Sequence, residues 1–205
     1  RAVLDPKANV PAQVLAEKLL AESDPNVAGA LRWALARAGH DAVASLAPGL
    51  ASENVDVRRR AVTALAEIPG EESTAALANA LQDPDATVRG HAALALGTRG
   101  VPATVPVLVG MVVAGANDVE AAEILGTLAR DAERTDTVRK ALADALAASG
   151  ADSAVRMRLV QALAEMPSTV ALNVLRSLAH DDDRVVARTA SFFADKIEER
   201  ERDGT

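Results

Sequence analysis

Leu35, Leu65, Leu96, Leu125 and Leu163 follow one another at intervals of 30, 31, 29 and 38 residues, and Phe193 comes 30 later. A period near thirty restricts a chain to a stack of similar units, because each short unit buries its apolar face only against its neighbours. The residues around each reference position agree. Four before it stand Leu31, Ala61, Ala92, Ala121, Leu159 and Thr189. One before it stand Ala34, Ala64, Ala95, Ile124, Ala162 and Phe192; eight before it stand Val27, Val57, Val88, Asn117, Val155 and Val185. Offsets −8, −4, −1 and 0 share one side of an α-helix, so they read as its buried stripe.

At −11 lie Asp24, Asn54, Asp85, Ala114, Asp152 and Asp182. An Asp or Asn there accepts hydrogen bonds from the free N–H groups of a helix start. Arg58, Arg89 and Arg156 follow three of these caps by four residues, placed to pair within the helix or with the Asx of the next repeat. Shorter apolar segments alternate with these helices: 11–22, 41–50, 72–82, 105–113, 137–149 and 169–180. Each is bounded by Gly, Pro, Asp or Ser, as helix ends require. The chain thus reads as six pairs, helix A then helix B. Composition supports this: 49% of the 205 residues are hydrophobic and 1% aromatic, and a chain rich in Ala and Leu favours close-packed helices.

The stretch DPDATVRGHAALALG (83–97) combines an Asp-Pro turn, Val-Arg and Ala-x-x-Ala-Leu-Gly. It resembles the HEAT repeat, and closely the short variety named after phycobilin lyases. SENVDVRRRAVTALAEIPG and GADSAVRMRLVQALAEMPS repeat it with substitutions, and the resemblance covers roughly residues 11–198. It implies an all-α fold: a right-handed α-solenoid of about six stacked helix pairs, an armadillo-type superhelix with A helices outside and B helices lining the concave face. The implied organisation is one domain over 1–205, with repeats near 11–39, 40–70, 71–100, 101–130, 131–167 and 168–198 and a charged cap at 195–205. Repeat 4 departs from the pattern with Ala114, Asn117 and Asp118, and 129–140 then lengthens the step, as a longer loop or helix extension.

Signals for chemistry are few. No GxxxxGK[ST], GxGxxG or HExxH motif occurs, cysteine is absent, and His40, His91 and His180 lie far apart. The glycines of GTRG (97–100) read as a C-cap turn. Among relatives of this repeat, deoxyhypusine hydroxylase binds iron through His-Glu pairs, and this chain has no His-Glu dipeptide. Phycobilin lyase subunits bind a tetrapyrrole together with a partner, and the present chain lacks Tyr and has few aromatics to pack one. DNA glycosylases of HEAT-like repeats use a basic groove, whereas the net charge here is −7. The expectation is a non-enzymatic protein with no cofactor and no metal. Nucleic acid is a poor partner for this charge. No apolar run approaches 18 residues and no signal peptide is visible, so a cytoplasmic location is expected. Arg1 in place of Met suggests a piece of something longer.

Offsets −5, −2 and +2 fall opposite the buried stripe, and their chemistry varies while the buried positions hardly change. They supply the candidate partner-binding residues Trp33, Arg60, His91, Leu94, Glu120, Glu123, Arg158, Gln161 and Arg188. Patterned charge with an apolar anchor suits a protein or peptide partner on the B-helix face. The competing reading is that Trp33 packs on the N-terminal segment and the charges only solvate the surface. Two other functions stay open: an accessory or regulatory subunit of an enzyme whose catalytic residues lie elsewhere, and, more weakly, nucleic-acid binding.

Overall fold

A computed structural model of the chain describes residues 10–203. The described residues form helices and turns, with no strand among them. They divide into two compact units, one up to Leu96 and one from Gly97 onward.

In the first unit the A helices are α1 (Ala12–Ala21), α3 (His40–Leu46) and α5 (Glu71–Ala78); the B helices are α2 (Pro25–Ala38), α4 (Val55–Ala66) and α6 (Ala86–Thr98), whose last turn passes the division after Leu96. In the second the A helices are α7 (Val105–Ala114), α9 (Ala132–Ala148) and α11 (Ser168–Leu178); the B helices are α8 (Asp118–Leu128), α10 (Ser153–Ala164) and α12 (Arg184–Asp203). A helices stack on A helices, as α1 on α3 and α7 on α9, and α8, α10 and α12 pack in succession. The lengthened step between repeats 4 and 5 is a helix extension: α9 starts at Ala132, where Asp131 accepts from the Glu133 N–H.

The B-helix starts are fixed by their Asx residues. Asp24 accepts from the N–H groups of Asn26 and Val27, Asn54 from Asp56, Asp85 from Val88, and Asp152 from Ala154 and Val155. Each such cap contributes ~1 kcal/mol. Repeat 4 has no such residue. There α7 runs on to Ala114, Gly115 takes the left-handed conformation at φ 67°, and α8 starts only after Asn117, itself at φ 50° and with no side-chain cap bond.

The sixth repeat is shifted by one residue from the spacing-based expectation. Asp183, not Asp182, caps α12, accepting from Val185 and Val186. The reference position is therefore Ala194, which is buried, and Phe193 precedes it. With that correction the reference (Leu35, Leu65, Leu96, Leu125, Leu163, Ala194) and −4 (Leu31, Ala61, Ala92, Ala121, Leu159, Ala190) are buried in all six repeats. Burial at −8 fails in part. Val88 and the re-registered Val186 are buried, but Val27 and Val185 are exposed, and Val57 and Val155 are half-buried. The stripe instead takes in −3 and +3, with Val62, Ala93, Ala122 and Val160 at the former and Ile68, Leu128, Met166 and Ile197 at the latter, all buried. Offsets −4, −3, 0 and +3 make one apolar band, wide enough to meet both the partner A helix and the next B helix.

The glycine of the Leu-Gly pair is explained by packing. Gly97 lies inside α6, not in a turn, and a Cβ there would stand 2.5 Å from Ile124 Cγ2. Its counterpart Gly126 would place a Cβ 2.4 Å from the Glu165 carbonyl oxygen, so α8 and α10 cross almost backbone to backbone. Gly100 alone makes the turn after α6, at φ 79°.

Candidate functional site: the B-helix face

The nine candidate residues separate into two groups, four on the first unit and five on the second. On the first, Trp33 is 63% exposed on α2, with the Arg37 guanidinium carbon 4.9 Å from its ring centroid. The N-terminal segment to which packing of Trp33 was one expectation lies outside the described residues over 1–9. Arg60 is half-buried and its Nε donates to the Leu20 carbonyl at 3.0 Å. His91 Nδ1 lies 3.3 Å from Thr63 Oγ1. The Thr63 hydroxyl already donates to the Arg59 carbonyl at 2.8 Å, so the His91 Nδ1 carries the proton and donates to it. Leu94 on α6 is half-buried.

On the second unit, Glu120 and Glu123 stand exposed on α8, Gln161 on α10 and Arg188 on α12. Arg158 is half-buried and tied down: its Nε donates to the Val112 carbonyl at 2.9 Å and its Nη2 to that of Val113 at 2.6 Å. Arg60 and Arg158 thus do the same work at the same offset. Each projects from a B helix onto the last-turn carbonyls of the A helix one repeat earlier, where a cation is favoured. That role follows from α4 packing on α1 and α10 on α7, which no spacing along the chain reveals.

Position −5 is therefore partly internal. The outward face is better described by −6, −2 and +2, spaced one turn apart. All six +2 residues are exposed: Arg37, Glu67, Thr98, Thr127, Glu165 and Lys196. At −2, Trp33, Glu123, Gln161 and Phe192 are exposed, and Thr63 and Leu94 half-buried. The register correction brings Phe192, 53% exposed, into this line. Its ring lies 5.0 Å below Lys196 Nζ, the same −2 to +2 arrangement as Trp33 and Arg37. Sequence reasoning missed Phe192 because it placed both phenylalanines in the buried stripe.

Two open depressions lie over the B helices of the second unit. One, about 230 Å³, is lined by Asp118, Val119, Ala122, Arg158, Gln161, Glu165 and Phe193. The other, about 810 Å³, is lined by Gln161, Val185, Arg188, Phe192, Phe193 and Asp195 with neighbouring small residues. Gln161 and Phe193 belong to both. Among the described residues no three His, Asp or Glu side chains converge as a metal site would need. No described helix is long and apolar enough to cross a membrane.

The fold defines a class, proteins built from repeated antiparallel helix pairs. Residues 43–129 match the family model for HEAT repeats. Solved structures show the same fold over nearly the whole length. An engineered protein aligns at a TM-score of 0.51 and 23% identity, covering 97% of this chain and 95% of that one. A second engineered protein gives 0.51 and 24%, covering 91% of this chain and 58% of the other. The complex of CpcE and CpcF of phycocyanin lyase from Nostoc sp. PCC7120 gives 0.51 and 21%, covering 91% and 78%. No curated protein sequence matches the chain significantly.

Proposed function

We propose that the chain is a non-enzymatic interaction scaffold that holds a protein or peptide partner against its B-helix faces. The observation that carries this reading is the contrast within one helix. Offsets −4 and 0 are buried and apolar in every repeat, while +2 is exposed in every repeat and passes among basic, acidic and hydroxyl side chains. A face kept open but varied residue by residue is suited to reading a partner's surface. Exposed Trp33 and Phe192 supply aromatic anchors of the kind that dominate binding energy. The similarity in fold to a complex of CpcE and CpcF fits an architecture used between proteins. The net charge of −7 fits poorly with binding along a phosphate backbone.

The test is site-specific photocrosslinking in cell extract, with the photoreactive residue at Trp33 or Gln161 on B helices and at Glu17 or Lys140 on A helices. A discrete protein adduct from the B positions and none from the A positions is expected. Adducts confined to the A positions would overturn the assignment. Adducts to nucleic acid alone would replace the proposed partner class.

A further inference from the structure

The B-helix groove of the second unit, with two depressions that share Gln161 and Phe193, has a chemistry that points to one kind of occupant. Part of its lining is apolar. Val119 is 67% exposed and Val185 52%, and Phe192 and Phe193 stand edge to face with centroids 5.4 Å apart. Around the α8 and α10 end stand four carboxylates, Asp118, Glu120, Glu123 and Glu165, none in an ion pair. Arg158 lines the same depression as Asp118 and Glu165 and keeps its positive charge while it donates to the Val112 and Val113 carbonyls, and Arg188 lines the larger depression. Five other acids, Glu67, Asp83, Asp85, Asp181 and Glu198, each have an arginine. The unit therefore presents apolar side chains beside an excess of carboxylates, Asp118, Glu120, Glu123 and Glu165 against Arg158, at the α8 end.

We infer, resting on the scaffold reading above, that this groove receives an amphipathic helical segment of a partner protein. Its large apolar side chains seat on Phe192, Phe193 and Val119, and its lysines or arginines meet the carboxylates of α8 and α10. Complementary charge sets orientation and association rate, and burial of the apolar stripe supplies the affinity. Three B helices at the usual ~8–10 Å spacing give a face about 20 Å across, which a helix of about 14 residues spans.

The probes are two synthetic helical peptides with the same leucine stripe, one carrying lysines on its flanks and the other glutamates. Both are titrated against the full chain by fluorescence anisotropy. The lysine peptide is expected to bind about tenfold or more tightly than the glutamate peptide, with a preference that shrinks as salt is raised. Glu123→Lys with Glu165→Lys should remove that preference. Phe192→Ala should weaken the lysine peptide about tenfold, as loss of an aromatic anchor does. Helix content by circular dichroism establishes that each variant is folded, and Glu120→Lys provides a second charge reversal away from the α8–α10 crossing. Equal or tighter binding of the glutamate peptide, no binding of either peptide, or indifference to the charge reversals would each overturn the inference. If crosslinks from Gln161 persist in that event, the scaffold reading stands and only the occupant's chemistry is wrong. If crosslinks come from the A helices alone, both fail.

Discussion

Arg58 reaches from α4 into the turn before α6 and holds Asp83 with two bonds, Nε to Oδ2 at 2.8 Å and Nη2 to Oδ1 at 3.2 Å. Its Nη1 also donates to the Ser52 carbonyl at 2.8 Å, so one guanidinium joins two successive repeat turns. The pair recurs on the second unit, where Arg156 and Asp181 stand at the same separation along the chain. Burial alone would raise the Asp83 pKa, but the Arg58 guanidinium and the Asp85 N–H outweigh it and hold the carboxyl below its ordinary value. Both side chains of the first pair are nearly buried, so removing one partner leaves the other uncompensated. Arg58→Ala should cost ~3 kcal/mol in urea unfolding. Asp83→Asn in the Arg58→Ala background should cost much less than in wild type, and additive losses would deny the coupling.

The register is tested by two apolar truncations. Leu96 is fully buried and Val27 exposed. Leu96→Ala should lower stability by about 2–5 kcal/mol, and Val27→Ala by less than about 0.5 kcal/mol. Equal losses at the two sites would contradict the offsets given above.

Gly126 is a sharper probe of helix crossing. A methyl group there meets the Glu165 backbone, which cannot turn aside, whereas at Gly97 the obstacle is the end of the Ile124 side chain. Gly126→Ala should destabilise by about 1–3 kcal/mol despite the better helix propensity of alanine, and by more than Gly97→Ala. Thermal melts that show Gly126→Ala stabilised would exclude the close approach.

Two groups of the first unit make its stability depend on pH from opposite sides. His40 on α3 hydrogen-bonds Glu72 on α5; that bond, then the attraction of the Glu72 charge, raises the imidazole above its ordinary 6.5. This contribution is whole below pH 6.5 and is lost as pH rises through the raised value. Asp85 is held at about 2, chiefly by its hydrogen bond with Arg59 and also by the N–H groups it caps. That contribution is present above pH 3.8 and is lost as pH falls towards 2. Melting temperature followed from pH 2 to 9 should fall towards both ends. Glu72→Gln should flatten only the alkaline limb, by a small amount because the pair is exposed to solvent. An unchanged alkaline limb in Glu72→Gln would remove His40 from the account.

What the sequence makes legible is what repeats. The five leucines at the reference position and the Asx caps Asp24, Asn54, Asp85 and Asp152 are found where periodicity puts them. The slip at repeat 6 has a physical origin. Asp181, Asp182 and Asp183 offer three adjacent caps, and Phe192 and Phe193 two adjacent large residues. A rule that places the largest apolar residue in the core then selects Phe193. The buried positions there are taken by Ala190 and Ala194, which leaves Phe192 exposed and Phe193 half-buried. Repeat 4 deviates because Ala114 cannot cap, so the chain finds another joint at Gly115 and Asn117. The half-burial of Arg60 and Arg158 could not be read from spacing, because their acceptors are main-chain atoms of a helix forty or more residues earlier.

Those two arginines also give the array a direction in time. The bond from Arg60 to Leu20 spans 40 residues and that from Arg158 to Val112 spans 46, and both run from a later helix to the exit end of an earlier one. As the chain leaves the ribosome, α1 and α7 each emerge with their last carbonyls uncovered. They stay so until the B helix of the following repeat has been made. In these two repeats the A helix is finished by a residue of the succeeding repeat, so a nascent chain arrested before Arg60 or Arg158 lacks that cover on the last turn of α1 or α7.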